Sequence, residues 1–438
     1  MQDANARHVV AVVGGAVSGS VAAEILAGHG HEVVVIEQND RPYGKIEDGL
    51  PRWHSHQRHQ EYERIDARLT KPRTHFMPRT KLGADVDFRD LTEGWGLSAV
   101  LLASGAWRDR PLGLAGESDA LGKGLEYQNP LIYWFNHKNE KAFAGRPLEI
   151  PDGAVVFGGG LASIDVVKVC QLENYERALR GRGIEVPMLD LEKKGVPEVC
   201  AAHGIADPAA LGVKGCLLLY RRRTDDMPLA QFQPGATDEQ KEKTIAARRK
   251  LLSRAQEKYL FRVQDCTLPL ELVLEKGRVR GVKVVRTKVE GRRADPIPGS
   301  EEVLRTDLVI ASIGSIPEPV PGIEMKGETY AFKDWDKGVY DAARGVFGVG
   351  NVVTGQGNIR ASLLHAQKVA AFLQENYFGG AWGAAGAALV EGHLKKRAPL
   401  PAAKVEEILK RVRARQREVG YDGDYAGWIA RVTPPDLE

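Results

Sequence analysis

Cysteine is scarce in this sequence: 4 residues in 438, Cys170, Cys200, Cys216 and Cys266, none in CxxC spacing. That scarcity argues against a redox disulfide, a zinc knuckle or an iron–sulfur ligand set read from local spacing, and leaves buried, reduced thiols as the expectation. A long apolar run is also missing. The start, MQDANARHVVAVV, enters an apolar stretch too short for a signal core or a membrane span, so a soluble, cytoplasmic chain without a membrane partner is expected. Charge of one sign is absent as well: 61 basic against 58 acidic residues leave a formal charge of +3, which gives no support for nucleic-acid binding, and any basic docking surface must be local. There is no low-complexity tract and no short-period repeat. Length alone suggests two or three domains.

What is present is glycine in three informative clusters. The segment from His8 reads as strand (HVVAVV), turn, helix (Ser18 to about His29) and strand (EVVVIE, ending at Glu37), a βαβ unit. Its turn carries Gly14, Gly15, Ala16 and Gly19. In a dinucleotide-binding turn the first glycine makes the bend, the second lets backbone approach a pyrophosphate and the third lets helix pack on strand; here Ala16 stands in the middle place. Glu37, about twenty residues on, offers a carboxylate to ribose hydroxyls and would repel a 2′-phosphate, so FAD or NAD suits this site better than NADP.

A second strand–turn–helix starts at Ala154, with Gly158, Gly159, Gly160, Leu161, Ala162 and the small Ser163 in the turn, and its helix runs to about Leu179. Residues 180–214, with Pro187, Pro197 and Pro208, read as a linker-like insertion, since helix-to-strand connections are usually far shorter. The next strand, GCLLLYRRR, ends in Tyr220-Arg221-Arg222-Arg223. Guanidinium groups there favour a 2′-phosphate and hence NADP. A third piece, GVGNVVTGQGNIRAS, feeds a helix starting near Asn358; its candidate contacts are Gly350, Asn351, Gly357, Asn358 and Ile359, with the amides of a helix start facing negative charge. The run SAVLLASGA brings Gly105 to a strand end where small residues suggest a close ligand. Ala236 to Tyr259 has helical periodicity, strands follow around VRGVKVVRTKVEG and DLVIASIG, and the last forty residues hold a basic helix and a polar tail. The fold class expected is α/β with two Rossmann-like units.

These stretches, together with RPYGKIEDGLPRWH, LLASGAWRDRPLGLAGES, NPLIYWFN and YRRRTDDMP, resemble the two-dinucleotide-binding-domain flavoproteins of the adrenodoxin reductase and glutamate synthase small-subunit branch. The run Tyr43 to His54 and the tail EVGYDGDYAGWI are similar to flavoprotein subunits of 2-oxoglutarate:NADP oxidoreductases. The resemblance implies a discontinuous FAD domain, residues 1–110 joined to 323–438, around an NADP domain, residues 111–322. It places FAD contacts on Gly14, Ala16, Gly19, Glu37, Lys45, Ile46, Asn351, Gly357 and Ile359, NADP contacts on Gly159, Gly160, Leu161, Ala162, Arg221 and Arg222, and a flavin-proximal role on His54. Two departures stand out: Asn351 replaces the acidic residue many relatives carry, and the cysteine-rich N-terminal region of glutamate synthase small subunits is absent.

Hydride transfer between nicotinamide and flavin needs positioning rather than side-chain acids or bases. With no redox cysteine pair in the sequence pattern, electrons are expected to pass one at a time to or from ferredoxin or an iron–sulfur partner subunit, as in ferredoxin–NADP reductase-type enzymes. Basic candidates for that contact are Arg64, Arg68, Lys71, Arg73, Arg79 and Lys81, or Lys395, Lys396, Arg397, Lys410, Arg411, Arg413 and Arg415; ordinary solvated faces are the plain alternative. His54, His56, His59 and His75 are spaced too irregularly to suggest a metal. Competing readings are a glutamate-synthase-like electron-input subunit, a non-catalytic flavin-binding assembly subunit, and an NADPH-dependent reductase of a small organic substrate.

Overall fold

The computed structural model describes residues 6–233, 235–378 and 396–435. Its first sheet runs in the order Val339–Asp341, Val346–Gly348, Ala99–Leu102, Val9–Val13, Glu32–Ile36, Thr74–Met77. All neighbours are parallel except the edge strand Val339–Asp341. The strand Val9–Val13 is buried along its whole length, which is why VVAVV reads as a continuous apolar run and not as an alternating one. Helices Val17–Gly28 and Ile359–Asn376 pack together on one face, in a core with Leu26, Phe347, Val369 and Trp428. The other face is covered by Phe88, Trp95, Phe332 and the helix Ala402–Glu418 through Val405, Ile408 and Val412.

The second sheet is wholly parallel, in the order Leu125–Tyr127, Val309–Ser312, Val155–Gly158, Leu217–Leu219, Arg262–Gln264. A four-stranded antiparallel layer built on Thr267–Glu275 and Arg278–Glu290 flanks it. The chain leaves the first sheet after Leu102 and returns after Ser312, and the two crossings pair as the antiparallel ribbon Arg108–Asp109 with Ser315–Ile316. The architecture is α/β with two doubly wound units, the first discontinuous in sequence.

The linker-like reading of residues 180–214 requires correction. The segment holds helices Met188–Lys194 and Val196–Ala202 and the turn Pro208–Leu211. Its prolines begin these helices instead of breaking them: Pro187 precedes the first, Pro197 lies in the first turn of the second and Pro208 opens the third. Proline is tolerated there because a first-turn N–H has no intrahelical acceptor. Leu191, Val196, Val199 and Cys200 enter the core of the second unit. Among the described residues no helix is long and apolar enough to cross a membrane.

Candidate functional site

At the first turn Gly14 has φ +104°, and a Cβ added there would lie 2.7 Å from the Ala103 carbonyl oxygen. A Cβ on Gly19 would come within 1.8 Å of the Gly14 carbonyl oxygen, so the helix sits directly on its own turn. Ala16 is the residue before the helix Val17–Gly28, and no side chain caps that helix, leaving its first amides to an external acceptor. The Ala16 methyl lies against Gly44, which has φ +52° and no Cβ to obstruct it; the missing middle glycine is accommodated by a glycine elsewhere.

Glu37 closes the turn from the next strand. Its Oε2 accepts from Gly15 N at 2.9 Å and its Oε1 from Asn39 N at 2.9 Å. Burial pushes its pKa up to about 7 against these two bonds. Gly14, Ala16, Glu37 and Gly105 line an open crevice that also takes in Thr80, Lys81, Trp107 and Tyr330. Of the last four, the sequence marks Lys81 only as one of a basic cluster and Trp107 only as part of LLASGAWRDRPLGLAGES, while Thr80 and Tyr330 carry no local motif.

The third glycine piece packs onto this turn. A Cβ on Gly350, at φ +73°, would meet Ser18 Oγ at 2.4 Å. Gly350 N donates to His365 Nδ1 at 3.0 Å, which needs that nitrogen unprotonated, and burial lowers the His365 pKa against the opposing bond from Nε2 to the Trp335 carbonyl at 3.0 Å. Asn351 opens the short helix Asn351–Thr354. Gly357 and Asn358 are exposed before the helix that begins at Ile359. Asn358 Oδ1 caps it through Ala361 N at 2.7 Å, so one of the amides expected to be free is already engaged.

In the second turn, a Cβ on Gly158 would lie 2.1 Å from Ser163 Oγ, which in turn donates to the Ser312 carbonyl at 2.9 Å. A Cβ on Gly159 would lie 2.3 Å from the Tyr220 ring. Gly160 opens outward with nothing within 4 Å, at the uncapped start of the helix Leu161–Arg180. Leu161 and Ala162 are exposed there. Arg222 donates to Tyr220 Oη at 2.9 and 3.1 Å and stacks over that ring. Arg221 is exposed, and its guanidinium finds no protein acceptor among the described residues. One arginine thus braces the tyrosine behind the turn and the other reaches free.

The stretch 43–54 joins the two units. Lys45 Nζ donates to Asn129 Oδ1 and Ser315 Oγ, each at 3.0 Å, and burial pulls its pKa down to about 8. Asp109, whose pKa burial pushes up to about 6, accepts from Asn129 N at 3.2 Å in the same cluster. Ile46 is buried in the short helix Lys45–Asp48. Asn136 donates to the carbonyls of Glu47 and Leu50 and accepts from Arg52 N at 3.0 Å. His137 lies between Glu140 at 2.6 Å and Asp48 at 3.1 Å; burial lowers its pKa, but these carboxylates more than offset it and the net direction is upward. His54 ends the turn Arg52–His54, with Nε2 3.7 Å from Asp165 Oδ1 on the second cradle helix. The indole N–H of its neighbour Trp53 is buried without a protein acceptor. The stretch 43–54 thus touches the first turn, where Gly44 lies against Ala16, and the second cradle helix, where His54 lies beside Asp165.

The histidines disperse: His56 contacts Gln60, His59 the Ser55 carbonyl and His75 the Glu32 carboxylate at 2.9 Å. The basic clusters are largely paired. Arg64 bonds Glu61, Arg68 Glu24, Arg73 Glu32, Arg79 Asp40 and Lys81 Glu318, with Lys71 exposed. In the other cluster Arg411 and Arg413 meet Glu407 and Glu406, Arg415 meets Asp85 and Glu418, Arg397 donates to Tyr377, and Lys396 and Lys410 are exposed, whereas Lys395 lies outside the described residues. The cysteines are not all apart: Cys170 and Cys216, distant in sequence, are thiol hydrogen-bonded neighbours in the core. That bond and burial hold the Cys216 thiol well above its ordinary range, so the pair is chemically quiet.

Two uncapped helix starts, each behind a glycine turn and each followed one strand later by a different charged group, define a protein with two dinucleotide-type cradles. Comparison with known proteins agrees. Residues 12–59 match the family model for an NAD(P)-binding Rossmann-like domain. The NADPH-Fe(3+) oxidoreductase subunit beta of Geobacter sulfurreducens is 28% identical over 318 residues, covering 70% of this chain but 37% of that protein. The mitochondrial NADPH:adrenodoxin oxidoreductase of Arabidopsis thaliana is 25% identical over 372 residues, covering 77% of this chain and 72% of that one. The solved structure of Mycobacterium tuberculosis FprA in complex with NADPH superposes with a TM-score of 0.68 at 20% identity, over 94% of this chain and 91% of that one, a likeness of fold. These relatives support the group that the motifs resemble, the adrenodoxin reductase and glutamate synthase small-chain oxidoreductases.

Proposed function

We propose that the chain is an FAD-dependent NADP(H) oxidoreductase of the ferredoxin–NADP reductase type, with FAD in the first cradle and NADP(H) in the second. The observation that carries this reading is the opposite chemistry behind two similar turns: a buried carboxylate, Glu37, in one and a free guanidinium, Arg221, in the other. A bound flavin supplies hydride acceptance from a nicotinamide and electron release one at a time. The protein's part is positional. The amides after Ala16 and Gly160 meet the pyrophosphates, Glu37 takes the flavin nucleotide's ribose hydroxyls, and Arg221, with Arg222 behind it, takes the 2′-phosphate. Gly15, Gly19, Gly105, Lys45, Ile46, Gly350, Asn351, Gly357, Asn358 and Ile359 complete the first site, and Gly158, Gly159, Leu161 and Ala162 the second. His54, at the seam, lies beside the reacting rings in this assignment.

The corresponding domains are residues 1–110 with 323–438 for FAD and 111–322 for NADP, with 180–214 as a helical elaboration of the latter. The partner is a one-electron iron–sulfur protein, ferredoxin or a subunit of a larger ferredoxin-linked 2-oxoacid oxidoreductase complex. Both Cys170 and Cys216 are remote from this chemistry by burial, which favours an external carrier over a disulfide relay. The test is to identify the nucleotide released from denatured protein by chromatography, and then to assay ferredoxin reduction with NADPH. Release of FAD with NADPH-dependent reduction of ferredoxin is expected; a colourless protein, or reduction of a small organic substrate without any one-electron carrier, contradicts the reading.

A further inference from the structure

Resting on that assignment, we propose that Glu192, in the helical elaboration between the second cradle helix and the strand Leu217–Leu219, is a positioning residue for His54 and acts through Lys168 and Trp53. Lys168 lies on the cradle helix Leu161–Arg180 and is buried, a costly place for an ammonium unless it is paired. Its Nζ is 2.8 Å from Glu192 Oε1 and 3.8 Å from Asp165 Oδ1. It also stands over two aromatic faces, the Trp53 ring at 4.2 Å and the Tyr259 ring at 5.0 Å. Glu192 is itself fixed by the Tyr259 hydroxyl, which donates to its Oε1 at 2.8 Å and lies 3.1 Å from its backbone carbonyl.

One cation therefore serves both units. It supports the indole next to His54, and it shares with His54 the carboxylate of Asp165, 3.7 Å from the imidazole. How much of Asp165 is available to His54 depends on how firmly Glu192 holds Lys168. Neutralising Glu192 leaves a buried ammonium whose nearest remaining carboxylate is Asp165, and draws Asp165 away from His54. Neutralising Lys168 leaves Asp165 to His54 alone while removing the cation beneath Trp53. The two changes loosen the same packing but act on the His54–Asp165 pair in opposite senses. The other charged groups around the turn, Arg52 and Arg58 on its own side and Asp48, Glu140 and His137 opposite, are common to both variants.

The experiment uses the full-length, FAD-loaded chain. The pH profile of the rate of flavin reduction by NADPH is measured for the wild type, Glu192→Gln and Lys168→Met, together with amide hydrogen exchange in residues 51–56 of the nucleotide-free proteins. Glu192→Gln is expected to move the acid limb of the profile to lower pH and Lys168→Met to higher pH, by about half a pH unit each, with at least a severalfold rise in exchange at 51–56 in both. Shifts in the same direction, or no shift, overturn the proposal. If the wild type is not reduced by NADPH, the functional assignment fails separately and exchange decides: protection at 51–56 unchanged in Glu192→Gln overturns the brace. Should Glu192→Gln not fold, Tyr259→Phe, which removes only the hydroxyl holding Glu192, is expected to move the limb in the same direction by less.

Discussion

Replacing Glu37 with glutamine separates folding from ligand binding at the first cradle. In the nucleotide-free protein this carboxyl is buried and its pKa stands at about 7 instead of 4.5. Below pH 4.5 it is neutral in both folded and unfolded chains and contributes nothing to their difference. As pH rises toward 7 the unfolded chain ionises freely while the folded one resists, so stability falls through this window and levels off above it. The full drop corresponds to about 3 kcal/mol. Glutamine removes that pH dependence, but it presents one acceptor oxygen and an NH₂ to two backbone donors, Gly15 N and Asn39 N, and so loses one hydrogen bond, about 1 kcal/mol at every pH. The variant should therefore be less stable than wild type by about 1 kcal/mol at pH 4 and more stable by about 2 kcal/mol at pH 8, with a crossing between. Thermal or urea melts of flavin-free protein across that range measure it, with the pH 8 gain amounting to roughly 2 °C in melting temperature for 438 residues unfolding together. Added FAD should narrow the pH 8 gap by about 1.4 kcal/mol, because the variant cannot offer a carboxylate to the ribose and should bind FAD about tenfold more weakly. A stability difference that does not change with pH would refute the account of Glu37.

Other substitutions distinguish cradle residues by what surrounds them. Gly19→Ala places a Cβ 1.8 Å from the Gly14 carbonyl and should prevent folding or lower the melting temperature sharply, whereas Gly160→Ala, with open space around it, should melt as wild type does but raise the KM for NADPH; circular dichroism melts beside steady-state kinetics read both. Arg221→Ala should raise the KM for NADPH about 10- to 100-fold while leaving that for NADH within about twofold, and an equal effect on both cofactors would refute the phosphate assignment. Trp428→Ala should cost about 3–5 kcal/mol, measured by urea unfolding, because the indole is buried on the first unit and donates to the Asp40 carbonyl at 2.8 Å.

Both cradles were legible in the sequence because each requirement there is local: a bend at Gly14, a close approach at Gly19 and a carboxylate or guanidinium one strand later all fall within one βαβ unit. Residues 180–214 read as linker-like because the stretch holds three prolines and exceeds the usual helix-to-strand connection, while position within the first helical turn decides what a proline does and that position depends on caps not visible as a pattern. The seam was not legible for a different reason. Lys45 with Asn129 and Ser315, Asn136 with Glu47, and Lys168 with Trp53 are pairs separated by 84 and 270, by 89 and by 115 residues, brought together only when the paired crossings set one sheet against the other. The same holds for Cys170 and Cys216, whose sequence distance suggested separation. Crevice residues such as Thr80, Trp107 and Tyr330 come from strand ends and loops that converge on the first turn without a shared motif.

The most direct test of two unlike cradles in one chain is anaerobic mixing of the purified, FAD-loaded protein with NADPH and, separately, NADH, following the flavin absorbance in time. The account predicts rapid bleaching by NADPH, much slower bleaching by an equal concentration of NADH, and loss of that preference in the Arg221→Ala variant. Flavin that stays oxidised with NADPH, or bleaches equally fast with both, would contradict it.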